Sequence, residues 1–332
     1  MTAPSSSDGK TTDPSRRHPV NRSHRPVRNL NSTGRRNNMM HTVQQRTIDR
    51  VDDRLHLGPD QQVDDKALLF TPKSPQLTDP FLVLVDDLFS SPGFEWHPHR
   101  GLETVTVVLD GVLEHGDNIG HVGTLSTGDV QWMTAGRGVI HRELAFRNER
   151  AHILQLWVNL PAEQKMVDNR YQDLLAAQRP VIEADGTRID LISGRAGGHT
   201  GPAQNHWPIT GATLTLEPNR TLRHTLPAHD RAFFTVLSGT VTIAGRTLTT
   251  GQTGWSDPLP GGGPETSTIA LRTGDTDQRA VVLAFSGQPM RQPVVFGGPF
   301  VMNTQAEIVQ AHRDFRSGRF GAVPRQARLQ YR

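Results

Sequence analysis

Two residue pairs at strand spacing constrain this chain more than any other feature. His97 and His99 lie in GFEWHPHRGLETVTVVLDGVLEH, which begins at Gly93, and His141 and Glu143 end the stretch LSTGDVQWMTAGRGVIHRE, which begins at Leu125. In an extended strand residues i and i+2 share a face, so each pair aims two ligating atoms at one point. Between the pairs, Thr104 to Leu109 and Val112 to His115 read as strands joined by Asp110-Gly111, a dipeptide suited to the positive φ of a type I′ hairpin turn. Three imidazoles and one carboxylate suit a divalent first-row metal: iron, manganese, cobalt, nickel, copper or zinc. With 15 histidines in the chain an isolated H-x-H says little. Two alternating pairs separated by strand and turn signals make a metal site the reading of this stretch.

These motifs carry a resemblance. HPHRGLETVTVVLDG followed by GDVQWMTAGRGVIHRE, then LQLWVNLP at 154–161 and GGPFVMNT at 297–304, resembles the pirin family, a branch of the bicupins, over residues 50–322. The resemblance implies an all-β bicupin: two tandem antiparallel jelly-roll-type β-barrels with a short C-terminal helix. The expected division is an N-terminal barrel with the metal site over 46–195 and a degenerate C-terminal barrel over 196–322. It also implies one mononuclear site, with Fe(II) as the expected ion. The general cupin pattern would take its glutamate ligand from Glu103, whereas pirins take it from the second motif, which places Glu143 with His97, His99 and His141. Strand parity alone does not separate the two, since Glu103 would share the face of His99 in a regular strand. With Glu143 as ligand, Glu103 becomes a group that orients a histidine or a bound water, or a buried carboxylate held by the barrel backbone.

Charge is segregated along the chain. Residues 1–44 hold eight Lys/Arg and two Asp, residues 316–332 hold five Arg and no acid, and the remainder has 23 basic and 31 acidic residues. The basic balance therefore sits at the ends, and the body is acidic. The polar segment 1–45 cannot bury enough apolar surface to offset chain entropy and reads as a disordered basic tail; 323–332 reads as a second one. Nucleic-acid contact would fall to the N-terminal tail, which lacks interleaved aromatics for base stacking. Arg16-Arg17 is not followed by an apolar stretch, no run is long enough to span a bilayer, and Met39-Met40 offers an alternative translation start. The absence of cysteine excludes disulfides and thiolate ligands and fits a cytoplasmic protein.

Along the rest of the chain, Phe81 to Leu88 and Ile153 to Leu160 read as strands, 161–178 as a short helix or ordered connector, and the Gly-rich run 194–201 as the boundary between halves. The second half repeats the first. FFTVLSGTVTI at 233–243 echoes TVTVVLDGVLEH, placing Gly239 on Gly111. LTTGQTGW at 248–255 echoes LSTGDVQW, placing Gly251 on Gly128 and Trp255 on Trp132. The ligand positions then fall on Thr225, Pro227, Pro264 and Thr266, and His224 and His229 lack alternating spacing, so the second barrel is expected to be metal-free and to pack against the first. Thr304 and Glu307 have capping-box spacing, Ile308, Ala311 and Phe315 form an apolar stripe, and Gly318 stands at a C-terminal cap.

The resemblance implies two functions. One is a quercetin 2,3-dioxygenase-like activity: four protein ligands leave two positions on a six-coordinate ion, and a net charge near +1 favours an anionic oxygen donor such as a flavonol or related enol. Glu143 would then shuttle the proton. Phe94, Trp96, Trp132 and Met133 are candidate walls for a flat aromatic substrate, or barrel core. The other is a metal-dependent redox sensor that binds a transcriptional or metabolic regulatory protein.

Overall fold

In the computed structural model, which describes residues 44–323 apart from 72, 91–92, 262–264 and 276–277, the Asp110-Gly111 dipeptide does not close a hairpin. A single strand, Leu102–Asp117, runs through it. Its first half pairs with Val130–Ala135 and Ala151–Asn159, and its second half with Val122–Ser126 and Val139–Ala145. Opposite Ala151–Ile153 the partners are Gly111, Asp110 and Val108, so Leu109 is the extra residue of a β-bulge. Gly111 has φ +81°, and a Cβ there would lie 2.0 Å from the Arg150 carbonyl oxygen. The dipeptide supplies the positive φ expected of it, but to turn a corner within one strand.

The repeat carries the same corner. Gly239, between Arg231–Ser238 and Thr240–Ile243, also has φ +81°, and a Cβ on it would meet the Arg279 carbonyl at 2.6 Å. Gly128 and Gly251 match likewise, with φ of +90° and +88°. The described chain is two open antiparallel barrels in tandem, with the helix Gln305–Arg316 at its C-terminal end. Trp132 and Trp255 both lie fully buried in the apolar layer joining the barrels, with Phe70, Phe81, Phe233 and Phe285. Phe81 meets Phe233 edge-on at 4.9 Å and Phe70 meets Trp255 at 4.9 Å, pairs that add about 0.5–1.5 kcal/mol each beyond their buried area.

The strands exchange between halves more than the sequence division at 195 implies. Gln44–Gln45 pairs with Thr266–Arg272, and Arg50–Asp52 with Thr253–Ser256, both in the second half. Arg46 anchors this entry: its buried guanidinium donates to the carbonyls of Pro227, Asp230, Ser256 and Asp257. Val181–Ala184 and Thr187–Ser193 also belong to the second half's seven-stranded sheet, so the change of barrel falls between Leu174 and Val181. The Gly-rich run holds a small hairpin instead, Arg195–Ala196 against His199–Thr200. Within 161–178 lies an edge strand, Arg170–Leu174, flanked by 3-10 turns. The expectations for the tails fall outside the described residues except at two edges: Gln44–Gln45 is a strand, which corrects the disorder expected through 45, and Val323 is exposed and outside any helix or strand.

The C-terminal helix has both hydrogen bonds of the capping box, and Gly318 follows it with φ +74°. It packs on the first barrel: Ile308 and Ala311 join Phe300, Met302 and Phe320 against Ile140 and Trp96. Phe315 of the expected stripe is 36% exposed and lies at its margin.

Candidate metal centre

His97 and His99 meet His141 because their strands are neighbours. Phe94–His99 lies antiparallel to Val139–Ala145, with His97 opposite His141 and Val139 opposite His99. One ligand atom from each of His97, His99 and His141 lies within 4.8 Å of the others. Ring centroids are 4.3 Å apart for His97 and His141, and 5.1 Å for His99 with either of them. His97 Nδ1 lies 2.7 Å from the Glu95 carbonyl and His99 Nδ1 lies 3.3 Å from that of Pro299. A carbonyl only accepts, so each Nδ1 donates and each Nε2 is the nitrogen left to ligate. His99 Nε2 and both nitrogens of His141 are buried without a hydrogen-bond partner.

Burial pushes His99 down to about 3, with His97 adding to the effect, and holds His141 well below the usual histidine range. Both rings are therefore neutral at physiological pH, the form that ligates metal. Orphaned, converging, neutral imidazoles are a cost to an apo protein and a fit for a divalent ion.

Glu143 is buried on the same strand as His141, outside that three-atom cluster. Its carboxylate accepts from Thr106 Oγ1 at 3.0 Å and from Gln155 Nε2 at 2.7 Å. Gln155 Oε1 in turn accepts from Trp157 Nε1 at 3.0 Å, and the Trp157 ring lies 5.1 Å from His99. A continuous set of contacts thus runs from the carboxylate back to a histidine. Thr106, Gln155 and Trp157 escaped the sequence reading. The signal available was a glutamine between two leucines in LQLWVNLP, a polar side chain within the strand Ala151–Asn159.

Glu103 points elsewhere, which corrects its role beside the histidines and favours the buried-carboxylate alternative, with a side-chain hydroxyl as the partner observed in place of the backbone. Gly101, with φ +77°, interrupts the strand between His99 and Leu102 and breaks the parity that would have put Glu103 on the histidine face. Glu103 shares its face with Val105 and Val107, which enter the inter-barrel layer, whereas Thr106 on the opposite face reaches Glu143. Its carboxyl is fully buried, accepts from Thr134 Oγ1 at 2.7 Å, and is pushed by burial up to about 7.

The aromatic neighbourhood divides in the same way. Phe94 borders His97 at 6.1 Å, Trp96 packs under the C-terminal helix, Met133 joins Ala135 and Val139, and Trp132 faces the other barrel.

In the second barrel Thr225, Pro227 and Thr266 are exposed, and Pro264 lies outside the described residues. The buried positions are one residue away: Leu222, His224 and Leu226 face inward and pair with Leu271, Ile269 and Ser267. Leu222, Leu226, Ile269 and Leu271 fill that space with an aliphatic core.

Comparison with known proteins places the chain by family and fold. The Pirin family model matches residues 62–158, and that of the Pirin C-terminal cupin domain matches residues 211–321. The chain is 38% identical over 252 residues to human pirin, covering 73% of this chain and 83% of that protein. It is 38% identical over 247 residues to a pirin-like protein of Solanum lycopersicum, covering 74% of this chain and 83% of that one. A solved quercetin 2,3-dioxygenase from Acinetobacter baumannii superposes with a TM-score of 0.76 at 30% identity, covering 84% of this chain and 100% of its own.

Proposed function

Because the chain belongs to the pirin family and folds as a bicupin, we propose that it is a mononuclear metal protein with quercetinase-type dioxygenase activity toward flavonols or related enolisable aromatics, and that ferrous iron is its resident ion. One observation carries the reading: ligand atoms of three imidazoles, His99 and His141 among them buried and neutral, converge within 4.8 Å, on strands that also bear Glu143. His97, His99 and His141 would hold the ion, with Glu143 as fourth ligand. When bound, the ion supplies Lewis acidity that lowers the enol pKa and open positions for an anionic oxygen and for dioxygen. Glu143, partly dissociated from the ion, would take the enol proton, and Thr106 and Gln155 would orient its carboxylate during that transfer. His97 is the half-buried member of the triad, so the substrate approaches from its side, where Phe94 presents an aromatic face. The similarity to the Acinetobacter baumannii quercetin 2,3-dioxygenase supports the substrate class.

Loaded anaerobically with ferrous iron, the protein is expected to hold one ion per chain, then to consume oxygen with quercetin and bleach its visible absorption once air is admitted. His97→Ala should abolish both. Full iron occupancy without oxygen uptake across a panel of flavonols would overturn the enzyme reading. It would leave binding of a regulatory protein, governed by the oxidation state of the metal, as the function to pursue.

A further inference from the structure

The last part of the chain leaves the second barrel and returns to the first. After the hairpin Val295–Gly297 and Phe300–Met302, the helix Gln305–Arg316 and Phe320 lie against the strands that carry the histidines. The contacts fall on residues adjoining the candidate ligands. The Pro299 carbonyl accepts from His99 Nδ1 at 3.3 Å. Phe300 forms a parallel bridge with Arg100, and Val301 N donates to the Arg100 carbonyl at 3.0 Å. The Arg100 guanidinium, buried next to His99 in sequence, pairs with Asp314 at 2.8 Å and lies 4.4 Å from the Phe320 ring. Buried Lys165 donates to both the Gly101 and Val301 carbonyls, at 2.6 and 2.9 Å. On the other ligand strand, Asn118 accepts from Ile140 N, the residue before His141, and donates to the Phe320 carbonyl.

We propose that this return segment, residues 299–320, is a positioning element for the metal site: the Pro299 carbonyl and the Arg100–Asp314 pair fix His99, so that metal binding at the triad and docking of the C-terminal helix are coupled. The inference rests on the metal reading above and adds to it an element no ligand belongs to. A group that orients a ligating histidine through its second nitrogen commonly changes metal affinity by about ten- to a hundredfold. Removing one member of a buried ion pair leaves the other charge unpaired, so loss of Asp314 displaces Arg100 and the strand end it holds. Linkage then requires the reverse effect: an ion at the triad stabilises the docked helix by the same factor.

Zinc(II) is the probe, because it is redox-inert and reads binding apart from oxygen chemistry. In the full-length protein, Asp314→Asn should weaken zinc affinity about tenfold or more, measured by chelator competition. Asp230→Asn, which removes a buried carboxylate of the second barrel, should cost stability and leave the affinity unchanged. In the wild type, zinc should slow hydrogen exchange of the backbone amides of Ile308 to Arg316 by a matching factor. Zinc bound by the wild type without any change in helix exchange would overturn the coupling, as would an Asp314→Asn protein that binds zinc as tightly as wild type. Should that variant not fold, the wild-type exchange comparison decides alone. A wild type that takes up no zinc would instead defeat the metal reading itself, and the coupling with it.

Discussion

Gln155 Nε2 donates to Glu143 Oε2 across 2.7 Å, joining two strands that the sequence gives no reason to place together. The bond orients a carboxylate whose other oxygen is held by Thr106. Gln155→Leu should therefore lower metal affinity by about ten- to a hundredfold while leaving far-UV circular dichroism unchanged, with Thr106→Val acting in the same direction. Affinity equal to wild type in both variants would show that Glu143 does not depend on this support.

Glu103 is predicted to behave as a buried acid of the barrel interface. Its folded pKa is raised to about 7 from an ordinary 4.5, mainly by burial. The folded state thus holds a proton that the unfolded state releases, and stability falls as pH rises from 4.5 to 7, by at most about 3 kcal/mol. Glu103→Gln keeps an acceptor for Thr134 and carries no titrating proton. It should be more stable than wild type at pH 8, no more stable at pH 4, and unaltered in metal occupancy, whereas Glu143→Ala should lose metal. Denaturant titrations at the two pH values, with metal analysis, check both halves of this statement.

The two glutamates show where the sequence was legible and where it was not. His97 and His99 keep the shared face that their i, i+2 spacing implies and His141 lies opposite His97, whereas the register shifts between His141 and Glu143 and leaves Glu143 outside the triad. The same parity failed for Glu103 because one glycine with positive φ, Gly101, stands between it and His99. The tandem repeat was readable from its glycine and tryptophan echoes. The assignment of Arg50–Asp52 and Thr187–Ser193 to the second half was not, since pairing with Thr253–Ser256 and Ile209–Leu216 leaves no local pattern. The aliphatic filling of the second barrel was displaced by one residue in the alignment, enough to exchange buried for exposed positions along a strand.

His224 in that aliphatic interior should make the protein sensitive to acid. Burial lowers its pKa from 6.5 to about 4, and its nearest ring is Phe234, edge-on at 6.4 Å. The neutral ring is favoured in the folded state, so its contribution is fully present above pH 6.5 and is lost as pH falls toward 4, by about 3 kcal/mol. His224→Leu should flatten this part of the stability profile between pH 6.5 and 4. An unchanged slope in the variant would assign the acid sensitivity to other groups.

Two glycines of positive φ separate conformational strain from collision. A Cβ on Gly128, at φ +90°, meets only the Ala176 methyl at 3.5 Å, an ordinary contact, so Gly128→Ala should cost about 1–2 kcal/mol for the left-handed backbone alone. At Gly111 the backbone is similar, with φ +81°, but the Cβ would lie 2.0 Å from the Arg150 carbonyl oxygen in the paired strand. Neither atom belongs to a flexible side chain, so the strand pair must separate at the corner that feeds both faces of Leu102–Asp117. Gly111→Ala should therefore be the more destabilising by about 2 kcal/mol or more, in the range of severe core substitutions. It should also weaken metal retention, because the strand beyond the corner pairs with the segment bearing His141 and Glu143. Equal denaturation midpoints for the two variants would show that the bulge yields without disturbing the barrel.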